Sequence, residues 1–148
     1  KLDIIFDLDG TIADGQQYVG LYLKNKPKRY DLFYDTVDLH GSHEAIIQVL
    51  KSLHTSGHHI IFATARSEEC REKTMIWIDK HIPELAGSYY LFMKPKGDHT
   101  KDYIAKKVML DQMRSMGYNP MLAFDDKPEV VDMYRKAGLT CFHVRDYV

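Results

Sequence analysis

The sequence has few cysteines, almost no net charge and no long apolar run, and each shortage excludes a class of protein. Cys70 and Cys141 lack the paired spacing of zinc sites, so we expect buried thiols in a reducing, cytoplasmic setting. A formal net charge of −1 gives no overall positive field of the kind that announces a nucleic-acid-binding protein. No apolar run approaches the roughly 20 residues of a membrane span, so we expect no membrane contact.

The composition is that of an ordinary globular chain, 45% hydrophobic and 28% charged, and predicted strands and helices alternate along it. We predict strands over residues 4–7, 58–63, 89–93, 121–124 and 139–144. The predicted helices begin near Ser42, Ser67, Thr100 and Pro128. Short connections and the absence of a linker predict one α/β domain over residues 1–148, with a parallel sheet between layers of helices.

The most informative stretch is the end of the first strand, where two carboxylates are followed by glycine and threonine. Because side chains alternate along a strand, Asp7 and Asp9 point the same way from its carboxyl end. Two like charges this close are unfavourable unless a cation lies between them. Mg²⁺ prefers such oxygen ligands and also accepts phosphate oxygens, while Gly10 allows the chain to turn away. The stretch predicts a metal and phosphate site.

Two further predicted strands end in polar side chains. Thr64 and Arg66 follow the second strand, and Asp125 and Asp126 follow the fourth. In open parallel sheets, ligands bind outside the carboxyl ends of the strands. We therefore expect these groups to converge on Asp7 and Asp9.

The chemistry of phosphoryl transfer predicts a role for each of these side chains. Asp7 can attack phosphorus and form an aspartyl phosphate, while Asp9 protonates the leaving alkoxide and later activates water. Asp126, with Asp125 beside it, supplies carboxylate to Mg²⁺, together with Asp7 and Asp9. The Thr64 hydroxyl and the N–H groups after it can bind phosphate oxygens.

One positive side chain should neutralise both the nucleophile and the phosphate. The candidate is Lys106, four residues after Asp102 on the same face of a predicted helix, and Lys107 is the alternative.

Residues 14–42 are polar, aromatic and predicted to be irregular. Four cations between Lys24 and Arg29 form the one sharp charge cluster of the sequence, close to the predicted site. Three tyrosines interleaved with it can stack on bases, although single tyrosines more often serve packing: Tyr18, Tyr22 and Tyr30.

Two other features have ordinary explanations. His40, His43 and Glu44 match no metal-binding spacing and are predicted to lie on the surface. Trp77 at helical spacing with Ile78 is predicted to be core.

In chain order, Asp7-Leu8-Asp9-Gly10-Thr11, Thr64, Lys106 and Asp125-Asp126 resemble the four motifs of the haloacid dehalogenase (HAD) superfamily. The resemblance implies a HAD-like, Rossmann-like fold of three layers. The chain between the first and second motifs leaves no room for a separate lid, so we expect a capless protein or one with a minimal cap.

A closer resemblance is to the phosphatase domains of bacteriophage polynucleotide kinase/phosphatases. It is carried by Thr64-Ala65-Arg66, by residues 97–102 with Lys106, and by residues 124–135. It implies Mg²⁺-dependent removal of 3′-phosphates from nucleic-acid ends. Residues that the resemblance implies in substrate binding are Arg29, Arg66, Asp102 and Lys127, the last standing where relatives carry arginine.

The resemblance does not extend to a kinase, because the sequence contains no glycine-rich Walker loop. The expected partner is a nucleic-acid 3′-phosphate end, with a separate kinase or ligase as a further partner. Alternatives are a HAD phosphatase of a small phosphomonoester such as a nucleotide, a phospho-accepting receiver-like domain and a catalytically silent binding domain.

Overall fold

A five-stranded sheet in which all four strand pairings are parallel forms the centre of the computed structural model, which describes residues 1–147. The strands are β1 (Asp3–Phe6), β2 (Ala13–Asp14), β3 (Gly41–Ser42), β4 (His59–Ser67), β5 (Tyr89–Lys94), β6 (Pro120–Asp125) and β7 (Thr140–His143). The sheet has the order β5-β4-β1-β6-β7, and β2 and β3 form a separate antiparallel pair. The strand that ends at the two predicted carboxylates is therefore central.

Helices cover both faces of the sheet. They are α1 (Gln16–Tyr22), α2 (Tyr30–Asp35), α3 (Glu44–Thr55), α4 (Arg71–His81), α5 (Asp102–Ser115) and α6 (Pro128–Lys136). Alternation along β1 sends Ile4 and Phe6 into one apolar cluster with Trp77 of α4. Ile5 joins the other cluster, with Leu110 of α5 and Val130 of α6. The structure confirms the predicted α/β fold with a parallel sheet.

The stretch predicted to be irregular, residues 14–42, has regular structure. Short helices α1 and α2 are connected through the basic loop, and β2 and β3 pair at the base of the segment. The amphipathic signal of helices of 7 and 6 residues is too short to identify them from sequence. The segment is a small two-helix insert, in agreement with a minimal cap.

His40 is buried, and its predicted surface position is wrong. Only 2% of its surface is exposed, neither ring nitrogen has a hydrogen-bond partner among the described residues, and Tyr18 stacks on the ring at 4.7 Å. Burial lowers the pKa of His40 to about 4, so the ring is neutral near pH 7. An uncharged histidine is tolerated in an apolar setting that would exclude the imidazolium ion.

Two predicted helix caps are also wrong. The residues at the N-cap positions of α3 and α5 are His43 and Lys101, one residue after Ser42 and Thr100, and neither uses its side chain as a cap. Ser67 does cap, accepting a hydrogen bond from the N–H of Glu69, but the helix that it begins is a 3₁₀ turn before α4. Both cysteines are buried and free. Within residues 1–147, every helix is too short or too polar to cross a bilayer.

Trp77 of α4 connects the insert to the core by a hydrogen bond, and its predicted core position is confirmed. Its indole N–H donates to the carbonyl of His40 at 2.8 Å. We expect Trp77→Phe to lower the free energy of unfolding by about 2 kcal/mol, because it removes buried volume and leaves that carbonyl unpaired. The neighbouring Ile76 is half exposed, so Ile76→Val should change it by less than about 0.5 kcal/mol. Urea unfolding measures both, and equal losses would contradict the assigned role of the indole.

Candidate active site

Three buried carboxylates meet at the carboxyl edge of β1 and β6. Asp7 directly follows β1, Asp125 ends β6 and Asp126 comes next, and a carboxylate oxygen from each lies within 4.8 Å of the others. The two strands are neighbours in register, with Phe6 beside Phe124. The N–H of Asp7 continues this pairing by donating to the carbonyl of Phe124 at 3.0 Å. Sheet topology therefore brings together acids that are more than 100 residues apart in the chain.

Lys106 of α5 lies between two of these acids. Its ammonium group donates to Asp7 Oδ1 at 2.9 Å and to Asp125 Oδ2 at 2.7 Å, and only 3% of its surface is exposed. The alternative lysine, Lys107, faces solvent and pairs with Asp111. The structure thus brings Lys106, and not Lys107, to the acids.

The electrostatics of this cluster are unbalanced. Burial, and then repulsion from Asp125, raise the pKa of Asp7 well above its ordinary value, although Lys106 opposes them. Burial also raises the pKa of Asp126. Burial alone would lower the pKa of Lys106, but attraction to Asp125 and Asp7 outweighs it and raises that pKa well above the ordinary value. Three acids and one ammonium group leave an excess of negative charge in a buried place.

This donor set fits a divalent cation. An octahedral Mg²⁺ shell with bonds of ~2.1 Å spans about 4.2 Å between opposite oxygens. Carboxylate oxygens within 4.8 Å of one another need only small movements to reach that geometry. Asp7, Asp125 and Asp126 can therefore hold such an ion, which would also relieve their repulsion.

Asp9 is held separately from the cluster. Both of its carboxylate oxygens accept hydrogen bonds from Arg66, at 2.9 and 2.7 Å, and Arg66 also donates to Thr74 at 3.1 Å. Burial would raise the pKa of Asp9, but the charge and hydrogen bonds of Arg66 outweigh it and lower that pKa. The structure therefore brings the Asp9 carboxylate to Arg66 instead of to the three acids, and each nitrogen of the Arg66 guanidinium group donates to a protein group.

Thr64 lies where β4 departs from regular pairing. The register between β4 and β5 shifts after Ala63 and resumes at Ser67, so residues 64–66 form an irregularity at the sheet edge. The Thr64 hydroxyl accepts a hydrogen bond from the N–H of Arg66 at 3.1 Å. Strand β4 continues three residues beyond Thr64, so Thr64 does not directly precede a helix.

The turn after Asp7 is compact. Gly10 has a φ of 82°, and a Cβ at this position would lie 2.1 Å from a carboxylate oxygen of Asp126, so only glycine fits. The Thr11 hydroxyl donates to Asp7 Oδ2 at 2.9 Å. Thr11 therefore orients the carboxylate through one oxygen, while Lys106 contacts the other.

A cavity of about 480 Å³ is lined by the buried acids, which form its floor, and by more exposed cations, which form its rim. Lys24 and Lys28 of the insert line it, together with Lys127 from the connection between β6 and α6. Arg29, in contrast, is exposed and forms a bidentate pair with Asp31 at 3.0 and 2.8 Å. The basic cluster predicted near the site therefore reaches the cavity through its lysines.

Aromatic rings complete the rim. Tyr30 lines the cavity, whereas Tyr18 and Tyr22 pack against the apolar core. Tyr147 lines the cavity too, and the ammonium group of Lys127 lies 5.1 Å from the centre of its ring. Lys127 is fixed there by Asp102, which accepts its hydrogen bond at 3.0 Å. Asp102 thus pairs with Lys127 and not with Lys106.

Sequence reasoning missed Lys24, Lys28 and Tyr147 as individual lining residues, and it gave Thr11 no contact with Asp7. For Thr11 the position directly after the acids was a usable signal. For Tyr147 there was none, because only the folding of the chain brings the residues after β7 to the cavity.

Cation binding by the three acids predicts a stabilisation that depends on Asp126. At a Mg²⁺ concentration about 100 times the dissociation constant, binding adds about 2.7 kcal/mol to the free energy of unfolding. We expect Mg²⁺ to raise the Tm of the wild type and to have little effect on Asp126→Asn. The matched control is Asp111→Asn, since Asp111 is exposed on α5.

Because the pKa values of Asp7 and Asp126 are raised, the contribution of these two groups to the stability of the cation-free protein should be lost as pH rises above the ordinary carboxyl pKa. The Mg²⁺ effect should therefore be larger at neutral than at acidic pH. Equal Tm shifts in all three proteins would contradict the assignment.

Comparison with known proteins gives a consistent result. The family model for the phosphatase domain of polynucleotide kinase PNKP matches residues 2–147. A protein of Autographa californica nuclear polyhedrosis virus, described as a bifunctional polynucleotide kinase/RNA ligase, is 32% identical over 151 residues. That alignment covers 98% of this chain and 20% of the viral protein, so the chain spans about a fifth of its relative's length.

Solved structures agree with this match. A chain of the Pnkp1/Rnl/Hen1 RNA repair complex superposes with a TM-score of 0.75 at 28% identity, over 97% of this chain and 42% of that chain. A class C acid phosphatase from Bacillus anthracis has the same fold, with a TM-score of 0.64 at 15% identity, over 99% of this chain and 68% of that chain. The chain belongs to the family of HAD-type phosphatase domains of polynucleotide kinase PNKP.

Proposed function

We propose that this chain is a Mg²⁺-dependent phosphomonoesterase that removes 3′-phosphates from DNA or RNA ends through an aspartyl phosphate. The observation that carries the proposal is the Asp7 carboxylate, fixed by Lys106 on one oxygen and Thr11 on the other, at the floor of a cavity with a cationic rim. Residues 1–148 act as one domain in this proposal.

In the first step, Asp7 attacks phosphorus and the bond to the ribose oxygen breaks. Asp9 donates a proton to the leaving 3′-oxygen and then takes one from the water that hydrolyses the aspartyl phosphate. Arg66 lowers the pKa of Asp9, which favours the base form; a nearby anionic phosphate raises that pKa and favours the acid form.

The remaining groups stabilise charge. Lys106 neutralises Asp7 and the transferred phosphoryl group, and the Thr64 hydroxyl contacts phosphate oxygens. Bound between Asp7, Asp125 and Asp126, Mg²⁺ would neutralise the charge that develops on the equatorial oxygens. In this assignment Arg66 positions Asp9, and the predicted metal role of Asp9 is assigned to the other three acids.

The rim supports a nucleic-acid end as the substrate. Lys24, Lys28 and Lys127 can contact backbone phosphates, while Tyr30 and Tyr147 offer ring faces on which bases can stack. Arg29 pairs with Asp31 and is not among the residues that line the cavity. We therefore assign it to contacts with the incoming nucleic-acid strand and not with the phosphate that is removed. The family match to phosphatase domains of a polynucleotide kinase points to the same substrate class.

A substrate panel tests this proposal. We expect Mg²⁺-dependent phosphate release from a 3′-phosphorylated oligonucleotide, with a much higher kcat/KM than from nucleotides or p-nitrophenyl phosphate. Matched DNA and RNA oligonucleotides show which sugar is preferred. Asp7→Asn should abolish release, because the amide is not a nucleophile, and Asp111→Asn is the control.

Equal kcat/KM for nucleotides and oligonucleotides would favour the small-phosphomonoester alternative. Stable phosphorylation of the chain without turnover would favour the receiver-like alternative. No activity on any substrate with Mg²⁺ would favour the silent binding domain.

A Tyr147 variant provides a second test, which asks whether the substrate is an oligonucleotide whose bases stack on this ring. Stacking of a base on an aromatic ring contributes about 1–3 kcal/mol, so Tyr147→Ala should lower kcat/KM for the oligonucleotide by about 5-fold to about 150-fold. It should leave p-nitrophenyl phosphate hydrolysis nearly unchanged, because that substrate has no neighbouring base. Tyr90→Ala is the control, since Tyr90 is comparably exposed but lies on β5, outside the cavity lining. Equal losses on both substrates would contradict a stacking role.

We also infer that the product of this reaction is a substrate for an RNA ligase. RNA ligation needs a 3′-hydroxyl, which is the product of removing a 3′-phosphate, and the names of two relatives include a ligase or an RNA repair complex. In a coupled assay, adding this chain should make 3′-phosphorylated RNA ends joinable by an RNA ligase. Ends with a 3′-hydroxyl should be joined equally well with and without it.

A further inference from the structure

The C-terminal segment, residues 143–147, contacts both loops that carry the buried acids. At the end of β6, the N–H of Val144 donates to the carbonyl of Asp125 at 3.1 Å. The ring Nε2 of His143 lies 2.8 Å from the carbonyl oxygen of Asp126. One short segment therefore holds the backbone of two acids in the cluster.

The same segment reaches the turn after β1 through Arg145. Its Nη1 donates to the carbonyl of Gly10 and, at 3.2 Å, to the carbonyl of Thr11. Among the described residues, Arg145 is the donor of the hydrogen bonds to both carbonyls. Hydrogen bonds from a charged donor are stronger than those between neutral groups. Arg145 therefore fixes the two residues whose position determines where the Thr11 hydroxyl meets Asp7.

The folding of the turn itself does not depend on Arg145. The N–H groups of Thr11, Ile12 and Ala13 all donate to the carbonyl of Leu8, at 2.9–3.1 Å, and the N–H of Gly10 donates to Ala13. These bonds are internal to the turn. Arg145 contacts the carbonyls of Gly10 and Thr11, which these internal bonds do not use. Its loss should therefore leave the turn formed, but let it shift relative to the acids and open more often.

We propose that Arg145 is a positioning residue for the catalytic turn. Through the Gly10 and Thr11 carbonyls it keeps the Thr11 hydroxyl on Asp7 Oδ2 while Lys106 occupies the other oxygen. The inference rests on the proposed phosphatase function, since it assigns Asp7 the nucleophilic role. It adds the C-terminal segment to the parts of the chain that the active site requires.

The test compares Arg145→Gln and Arg145→Lys with a matched arginine. Arg114 of α5 also donates to a backbone carbonyl, that of Ala137 at 2.9 Å, but lies outside the cavity lining. With p-nitrophenyl phosphate and Mg²⁺, Arg145→Gln should lower kcat by about tenfold to about a hundredfold with KM nearly unchanged. Arg145→Lys keeps the charge and should recover part of kcat. Arg114→Gln should retain the wild-type kcat.

Amide hydrogen exchange provides a readout that does not depend on activity. In Arg145→Gln, exchange at residues 9–13 should be faster than in the wild type, while the core strands β1 and β4 remain protected. If Arg145→Gln does not fold, Arg145→Lys is compared with Arg114→Lys in both measurements.

The outcomes separate this inference from the proposed function. An inactive wild type would reject the phosphatase function itself. An active wild type with equal kcat in the Arg145 and Arg114 variants would reject the positioning role. A lowered kcat matched by a proportional loss of folded protein, with unchanged exchange at residues 9–13, would also reject it.

Discussion

The candidate active site depends on the balance between three buried carboxylates and one buried ammonium group. Parallel pairing of β1 and β6 forces Asp7 close to Asp125 and Asp126, and α5 delivers Lys106 between Asp7 and Asp125. Lys106 neutralises only part of this charge, and burial makes the remainder unfavourable. A stable, empty cluster of this kind is difficult to maintain for structural purposes alone. The imbalance is the physical reason to assign the site a divalent cation and an anionic substrate.

In the cavity around the cluster, the three acids are buried and the lysines of the rim are more exposed. Acids occupy the floor of the cavity, Asp9 is held to one side by Arg66, and lysines lie at the rim. An anionic phosphate is therefore attracted at the entrance and meets repulsion at the floor, where a bound cation is needed to offset it. The rim is formed by three parts of the chain that are distant in sequence. The two-helix insert supplies lysines and Tyr30, the connection between β6 and α6 supplies Lys127, and the C-terminal segment supplies Tyr147.

Much of the fold and the chemical centre could be predicted from sequence, because both rest on local patterns. Apolar runs that end in carboxylates identified β1 and β6, and helical spacing identified α5. Lys106 was singled out by its place in the order of elements, whereas the partner that helical spacing gave it, Asp102, pairs with Lys127. The exposed position of His40 was predicted wrongly, because burial of a neutral ring depends on neighbours such as Tyr18 that no local pattern reveals. The two short helices of the insert were missed for lack of length. The pairings of Asp9 with Arg66 and of Asp102 with Lys127 join residues 57 and 25 positions apart, and only the folded chain determines them.

The central claim is that Asp7 becomes phosphorylated during turnover, and acid-quenched mass spectrometry tests it most directly. The wild type is mixed with a 3′-phosphorylated oligonucleotide and Mg²⁺, quenched within the first turnover and digested. The account predicts a phosphoryl group on the peptide that contains Asp7, which appears before free phosphate and decays at the rate of turnover. Phosphate release with no phosphorylated peptide at any time, or with the phosphoryl group on another residue, would contradict it.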